Sequence, residues 1–259
     1  MLDVIADRRP CFARSRRGSF CVNANDGHYY WVTLPKVDRT GAYKTFATMI
    51  VRACGVPCAE PAAVAVSEQL INELKDQCGE NAEKVSFLPG LHCGSKCPAD
   101  PTRHAIYDLL PETMTERVRN RSDFSLMRGI SLWLGDADSQ HAVFVRQPEK
   151  DFAACMIGLG QSFRFEAPTR KLFSVERALL DMEDSWEQTG AGLDRINALN
   201  EHDLSNMAKE IPVEWWAVAD RSANHIIEQL LHRRAQLPAL LSAIQSKSCL
   251  LYTSPSPRD

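Results

Sequence analysis

Polar and apolar positions along the chain change period several times, and each change marks an element. In "GSFCVNANDGHYYWVTLPKV", β-branched and aromatic residues flank Asp26-Gly27, a dipeptide suited to the positive φ angles of a tight hairpin. This predicts two antiparallel strands, about Ser19 to Ala24 and Tyr29 to Leu34. Next, "GAYKTFATMIVRACG" spaces Phe46, Ile50, Val51 and Cys54 for one helical face, with Gly55 as the stop. "PAAVAVS" reads as a strand. In "SEQLINELKDQCG", Ser67 starts a helix with Leu70, Leu74 and Cys78 available for packing. Residues 15–100 are thus expected to form a small β-rich lobe with one embedded helix, preceded by a tail over residues 1–14.

From about residue 100 the pattern turns helical. "SDFSLMRGISLWL" carries a Ser122 cap and apolar residues at Phe124, Met127, Ile130, Leu132 and Trp133 or Leu134. An acidic loop follows, then strand "AVFVR", turn "QPEKD" and strand "FAACMIG". Three helices are expected after it: Ser174 to Met182, His202 to Glu210, and Val213 to about Ile244, the last kinked or split by Pro238. Residues 101–248 would make this helical lobe. "CLLYTSPSPRD", Cys249 to Asp259, resembles the in-frame translation of a transposon-type sequencing-library adapter joined to a truncated gene. It is set apart from the fold.

Composition narrows the classes. The chain has 259 residues, 44% hydrophobic and 24% charged, enough for a sizeable core. A formal net charge of −3 gives no global attraction to nucleic acid, and no direct nucleic-acid binding is expected. No stretch approaches the roughly 20 apolar residues that span a bilayer, and "MLDVIADRRPCFARSRRGSF" lacks the apolar core of a secretory signal. A cytoplasmic location follows as the expectation. The nine cysteines are odd in number, which argues for small buried apolar groups rather than a disulfide framework. Cys54/Cys58 and Cys93/Cys97 each have three residues between them, but no His-x-x-x-His or second tight Cys pair nearby completes a tetrahedral set, so no zinc is expected.

Candidate chemistry concentrates in "LWLGDADSQHAVFVR", residues 132 to 146. Two aspartates beside Gly135 would ordinarily be a turn and cap, because Asp bonds readily to nearby backbone. Element order adds to that reading. A β-lobe with a helix, then a helix, an acidic loop, a tight hairpin and a helical remainder is the layout of protein-kinase-like phosphotransferases, an α+β two-lobed fold. "GLHCGSK" is a near miss for a P-loop: three residues, not four, separate Gly90 from Gly94, and Cys97 follows Lys96 where Ser or Thr is required. A plain turn is the simpler reading there.

The sequence resembles the HipA-like kinase family, in the branch whose catalytic loop runs Trp-x-x-Asn-x-Asp-Gly-Arg-Gln-x-x-Phe. The matching stretch runs from Trp133 through Asp136, Asp138 and Gln140 to Phe144. "GLHCGSKCP" is similar to the family's Gly-x-His-Phe-Gly-Ser loop, "IYDLLPE" and "VRNRSDF" to its next connector, and "IPVEWW" with "LLHRRAQLPALL" to its closing helices. The similarity runs from about Ser15 to Ile244.

The resemblance implies ATP and magnesium as cofactors, and Asp138 as the catalytic carboxylate that orients a substrate hydroxyl. Asp136 stands where the family has a metal-binding Asn. Gly94 and Ser95 fall in its phosphate or substrate loop. The strand Lys maps onto Thr33, with Lys36 three residues on as the candidate nucleotide-binding cation. The helix Glu has no counterpart in "GAYKTFATMIVRACG", and the family's Ile-Asp-x-Gly is here Ile157, Gly158, Leu159, Gly160. Two functions follow: ATP-dependent phosphoryl transfer to a protein or small-molecule hydroxyl, or a pseudokinase that binds a partner or nucleotide without transfer. A protein substrate or an antitoxin-like partner is implied in either case. His141 is read as structural. Trp215, Trp216, Ile226, Ile227, Leu230 and Leu231 are read as core, and Arg233-Arg234 as a solvated helix face.

Overall fold

The structure, a computed structural model, describes residues 2–11, 19–33, 40–78, 88–136, 141–166 and 185–252. Asp26-Gly27 turns the hairpin as expected: Gly27 sits at φ 79°, and Asp26 accepts from the His28 backbone at 3.0 Å and from the Tyr30 hydroxyl at 2.7 Å. Its strands are β2 (Ser19–Ala24) and β3 (Tyr29–Thr33), paired from Ser19↔Thr33 to Asn23↔Tyr29. Helix α1 spans Thr40–Ala53, followed by Gly55 at φ 77°. Strand β4 is Pro61–Val66 and helix α2 is Glu68–Cys78, whose first turn is capped by Ser67 Oγ accepting from Leu70 N at 3.2 Å.

Two segments depart from expectation in this lobe. Residues 2–11, expected as a tail, form β1 (Leu2–Cys11), which pairs parallel with β4 and antiparallel with β2. Residues expected as a turn form β5 (Gly90–Lys96). It pairs with both β3 and β4, so the order β1-β2-β3-β5-β4 closes into a barrel. Closure leaves no open edge in this sheet. Val22, Tyr30, Val32, Ala62, Val64 and Val66 fill the barrel, with Leu70 and Ile71 of α2 packed on it.

The second lobe begins with the short strand β6 (Ile106–Tyr107), a 3-10 turn over Glu112–Arg117 and helix α3 (Ser122–Leu134). Strands β7 (His141–Arg146) and β8 (Phe152–Ile157) complete a three-stranded sheet in the order β6-β7-β8. Helices α4 (Ser185–Ala198), α5 (Glu201–Lys209), α6 (Val213–Ala217) and α7 (Ala223–Tyr252) follow. Helix α5 carries a reciprocal capping box between Asn200 and Asp203. The helix expected over Ser174 to Met182 lies outside the described residues, and α4 was not anticipated.

The expected break at Pro238 lies elsewhere. The chain leaves the helix at Val218 and re-enters after Ser222, while α7 runs through Pro238 and on past Cys249. Leu237 and Leu241 pack in the core on either side of the exposed proline, offsetting its lost hydrogen bond. No helix among the described residues is long and apolar enough to cross a membrane.

Helix α1 joins the lobes. Its residues Ala42, Tyr43, Phe46, Ala47, Ile50, Val51 and Cys54 belong to the core of the helical lobe, not to the barrel interior. Just after it, Ala59 N donates to Met156 O at 3.0 Å and Met156 N to Pro57 O at 2.8 Å, so β8 is stitched directly to the segment leading into β4. The result is a two-lobed α+β architecture: a small barrel, a bridging helix and a mainly helical body.

Candidate functional site

The acidic loop starts from a fixed point. Helix α3 is buried almost throughout, and Trp133, fully buried, donates from Nε1 to Leu230 O on α7 at 2.7 Å. The helix ends at Gly135 in the left-handed region, φ 60° and ψ 39°. A Cβ there would lie 2.9 Å from Phe165 Cδ1 and 3.3 Å from the Arg164 carbonyl carbon, so both backbone conformation and space demand glycine. Asp136 N donates to Ser131 O at 3.0 Å, and Asp136 is 1% exposed. A carboxylate this deep needs partners to stay charged. Residues 137–140, including Asp138, lie outside the described residues, as does the His141 side chain.

The segment after β8 returns to the same turn. Gly158, where the resemblance places a metal carboxylate, sits at φ 81° and offers only backbone. Further on, Phe163 N donates to Leu134 O at 2.7 Å and Arg164 N to Gly135 O at 3.0 Å. Phe163 adopts φ 67°, unusual for a bulky residue, and is held there from several sides. Its ring lies 5.7 Å edge-on from Tyr43 and 5.6 Å from Phe46, and its carbonyl accepts from Arg221 Nη1 at 3.0 Å. Arg233 Nε caps Leu132 O at 2.7 Å and stands over the Phe165 ring at 5.7 Å, while Arg234 Nη1 bonds Leu199 O. These two arginines are therefore half-buried clamps on helix ends, not the solvated face expected. Burial lowers the pKa of Arg233 from its ordinary value.

On the barrel side, β3 alternates cleanly. Tyr30 and Val32 point into the barrel, so Thr33 and Trp31 share the opposite face. There Lys44 Nζ of α1 donates to Thr33 Oγ1 at 2.8 Å. Where the resemblance implies a strand cation and a helix acid, β3 presents a hydroxyl and α1 a cation. Sequence reasoning saw that α1 has no acid but passed over the lysine standing in it. Lys36 lies outside the described residues. Gly94 and Ser95 lie within β5; a Cβ on Gly94 would meet Val64 Cγ2 at 2.5 Å, so this glycine serves close strand packing. Ser95 is buried opposite Trp31 and Pro61.

The core reading of the tryptophans agrees with the structure: Trp215, Ile226, Ile227 and Leu230 are buried, and Trp216 Nε1 bonds Ala208 O at 3.2 Å. Of the free thiols described, five are buried. Burial pushes Cys54 up to about 12 and Cys155 up to about 11. Cys21 instead is lowered, chiefly by a hydrogen bond shared with the Cys97 thiol, 3.9 Å away.

A magnesium site needs several oxygen donors, usually including carboxylates. Among the described residues no group of three or more His, Cys, Asp or Glu converges, and Gly158 contributes no side chain. The described donor set, with Asp136 as its carboxylate, does not by itself fit the metal. A phosphate needs cationic N–H donors, and the Lys44 ammonium fits that requirement.

Comparison with known proteins agrees on the fold. No protein-family model matches the sequence, and no curated protein does. Among solved structures, the chain is similar to a Helicobacter pylori proinflammatory kinase, CtkA, with a TM-score of 0.54 at 12% identity, over 93% of this chain and 96% of that one. The Golgi casein kinase with Mn/ADP bound matches at 0.53 and 10% identity, over 94% and 73%. HipA of Shewanella oneidensis MR-1, in complex with HipB and operator DNA, matches at 0.51 and 11% identity, over 93% and 68%.

Proposed function

We propose that this chain, whose fold is that of the HipA-like kinases, transfers a phosphoryl group from ATP to a hydroxyl of a protein or small molecule. One observation carries the reading. The turn that ends α3 is built as a rigid mount: left-handed Gly135, buried Asp136 behind it, and residues 163 and 164 hydrogen-bonded onto it. In the sequence residues 137–140 follow directly on that mount, and the loop resemblance puts Asp138 among them.

In this reading Asp138 orients the acceptor hydroxyl and takes its proton as the new O–P bond forms and the bond to the leaving ADP oxygen breaks. A positioned general base contributes roughly 10²–10⁴-fold. Magnesium, when bound, supplies neutralisation of phosphate charge. A protein substrate or antitoxin-like partner belongs to the same reading, on the likeness to HipA.

A second reading is favoured by Gly158: without a carboxylate at that place the fold would bind nucleotide or a partner without transfer. ATP turnover by the purified protein decides between them. Loss of about 100-fold or more in Asp138→Ala supports transfer. Turnover no higher than in that variant, with ADP still raising the thermal midpoint, supports binding alone.

A further inference from the structure

We propose that Lys44, delivered from α1, is the phosphate-binding cation of this cleft and does the work that a lysine on β3 would otherwise do. The inference rests on the reading of the cleft as a nucleotide site. Its ammonium lies 2.8 Å from the hydroxyl of Thr33, the strand position at which the resemblance calls for a lysine. The helix side chain therefore brings positive charge to the neighbourhood from which a strand lysine would project.

Three features make this a usable charge rather than a spent one. Thr33 is neutral and accepts a single hydrogen bond, leaving two of the three ammonium donors for another acceptor. No aspartate or glutamate occurs in α1, and Lys44 forms no ion pair among the described residues. The helix itself is fixed. Phe46 is buried against Phe163 and Trp216, and Thr45 Oγ1 lies 3.4 Å from Cys93 Sγ on β5. Lys44 therefore springs from a stationary base, and Thr33 serves as its positioning residue.

Calorimetric titration of the full chain with ATP and, separately, with adenosine tests the assignment. Lys44→Met is expected to weaken ATP on the order of 10–100-fold, the loss of a charge-assisted hydrogen bond, while leaving adenosine within about twofold. Returning the ammonium to the strand, in Thr33→Lys/Lys44→Met, is expected to recover ATP binding. Unchanged ATP affinity in Lys44→Met, with wild type binding normally, overturns the assignment but leaves the nucleotide reading standing. Equal losses of ATP and adenosine mean that Lys44 only supports the fold, which also overturns it. A wild-type chain that binds neither ligand removes the nucleotide reading and this inference together.

Discussion

Tyr43, on the bridging helix, donates its hydroxyl hydrogen bond to Asp220, 177 residues away in the loop between α6 and α7. The same oxygen accepts from Arg221 N at 3.0 Å, and Arg221 in turn holds Phe163 O. The loop that breaks the long C-terminal helix is thus the clamp that fixes α1. Tyr43→Phe keeps the ring packed on Phe163 and removes only the hydroxyl. A destabilisation of about 2 kcal/mol is expected, since the bond reaches a carboxylate. Urea unfolding of Tyr43→Phe, Asp220→Ala and the double variant checks it: the two single effects should fail to add, because each removes the Tyr43–Asp220 bond.

The same pair sets an alkaline limit. Burial, with the Asp220 bond and charge behind it, pushes Tyr43 up to about 12. The unfolded chain releases this proton near pH 10, so between about pH 10 and 12 the folded state binds more protons than the unfolded one. Stability from this group is whole below pH 10 and falls as pH rises through that window. Tyr30 is raised in the same direction by burial and by Asp26. Denaturation midpoints taken at pH 9 and 11 should fall less in Tyr43→Phe than in wild type; equal falls would remove Tyr43 as a cause.

Local chemistry was legible in the sequence and distant pairing was not. The Asp26-Gly27 hairpin, α1 with its Gly55 stop and the Ser67 cap all depend on residues within a few positions, and all appear as expected. Strand β1 depends on β4, some 60 residues on, to complete a barrel, and nothing within residues 2–11 announces that partner. Pro238 was the strongest local breaker in the C-terminal helix, yet tertiary demand moved the break to Val218–Ser222, where Asp220 and Arg221 must reach α1 and Phe163. The site divides in the same way. The family resemblance of the loop pointed to Asp136 and Asp138, but Lys44 meets Thr33 only through docking of a helix on a strand, which one-dimensional spacing does not encode.

Gly135→Ala probes the mount of the acidic loop. The left-handed backbone alone costs a side-chain-bearing residue roughly 1–2 kcal/mol, and the new Cβ would also press on Phe165 at 2.9 Å. The expected outcome is a loss above 2 kcal/mol by thermal or urea unfolding, relieved in part by Phe165→Ala in the same chain. A loss unrelieved by that second change would assign the cost to the left-handed conformation and to the backbone of Arg164 and Phe165, which the new Cβ also meets.

Gly94→Ala asks whether this glycine belongs to strand packing. Its Cβ would lie 2.5 Å from Val64 Cγ2 inside the barrel, closer than real contacts allow. The barrel interior is close-packed, so overpacking of about 1–3 kcal/mol is expected. Val64→Ala opens room and costs stability alone, but combined with Gly94→Ala the total should be smaller than the sum. Additive losses would show that the two side chains do not compete for space.

Thiol reactivity reports burial directly. Cys155 is half-buried, yet its thiol is pushed up to about 11, and that of buried Cys54 to about 12. The thiolate is the reactive form, so these two thiols should alkylate slowly at pH 8. The rate at Cys155 should rise about tenfold per pH unit as far as pH 10, where an ordinary thiol levels off near 9. Peptide mapping after timed iodoacetamide treatment assigns the site. A plateau at Cys155 near pH 9 would mean that water reaches this thiol on β8 far more than its burial allows.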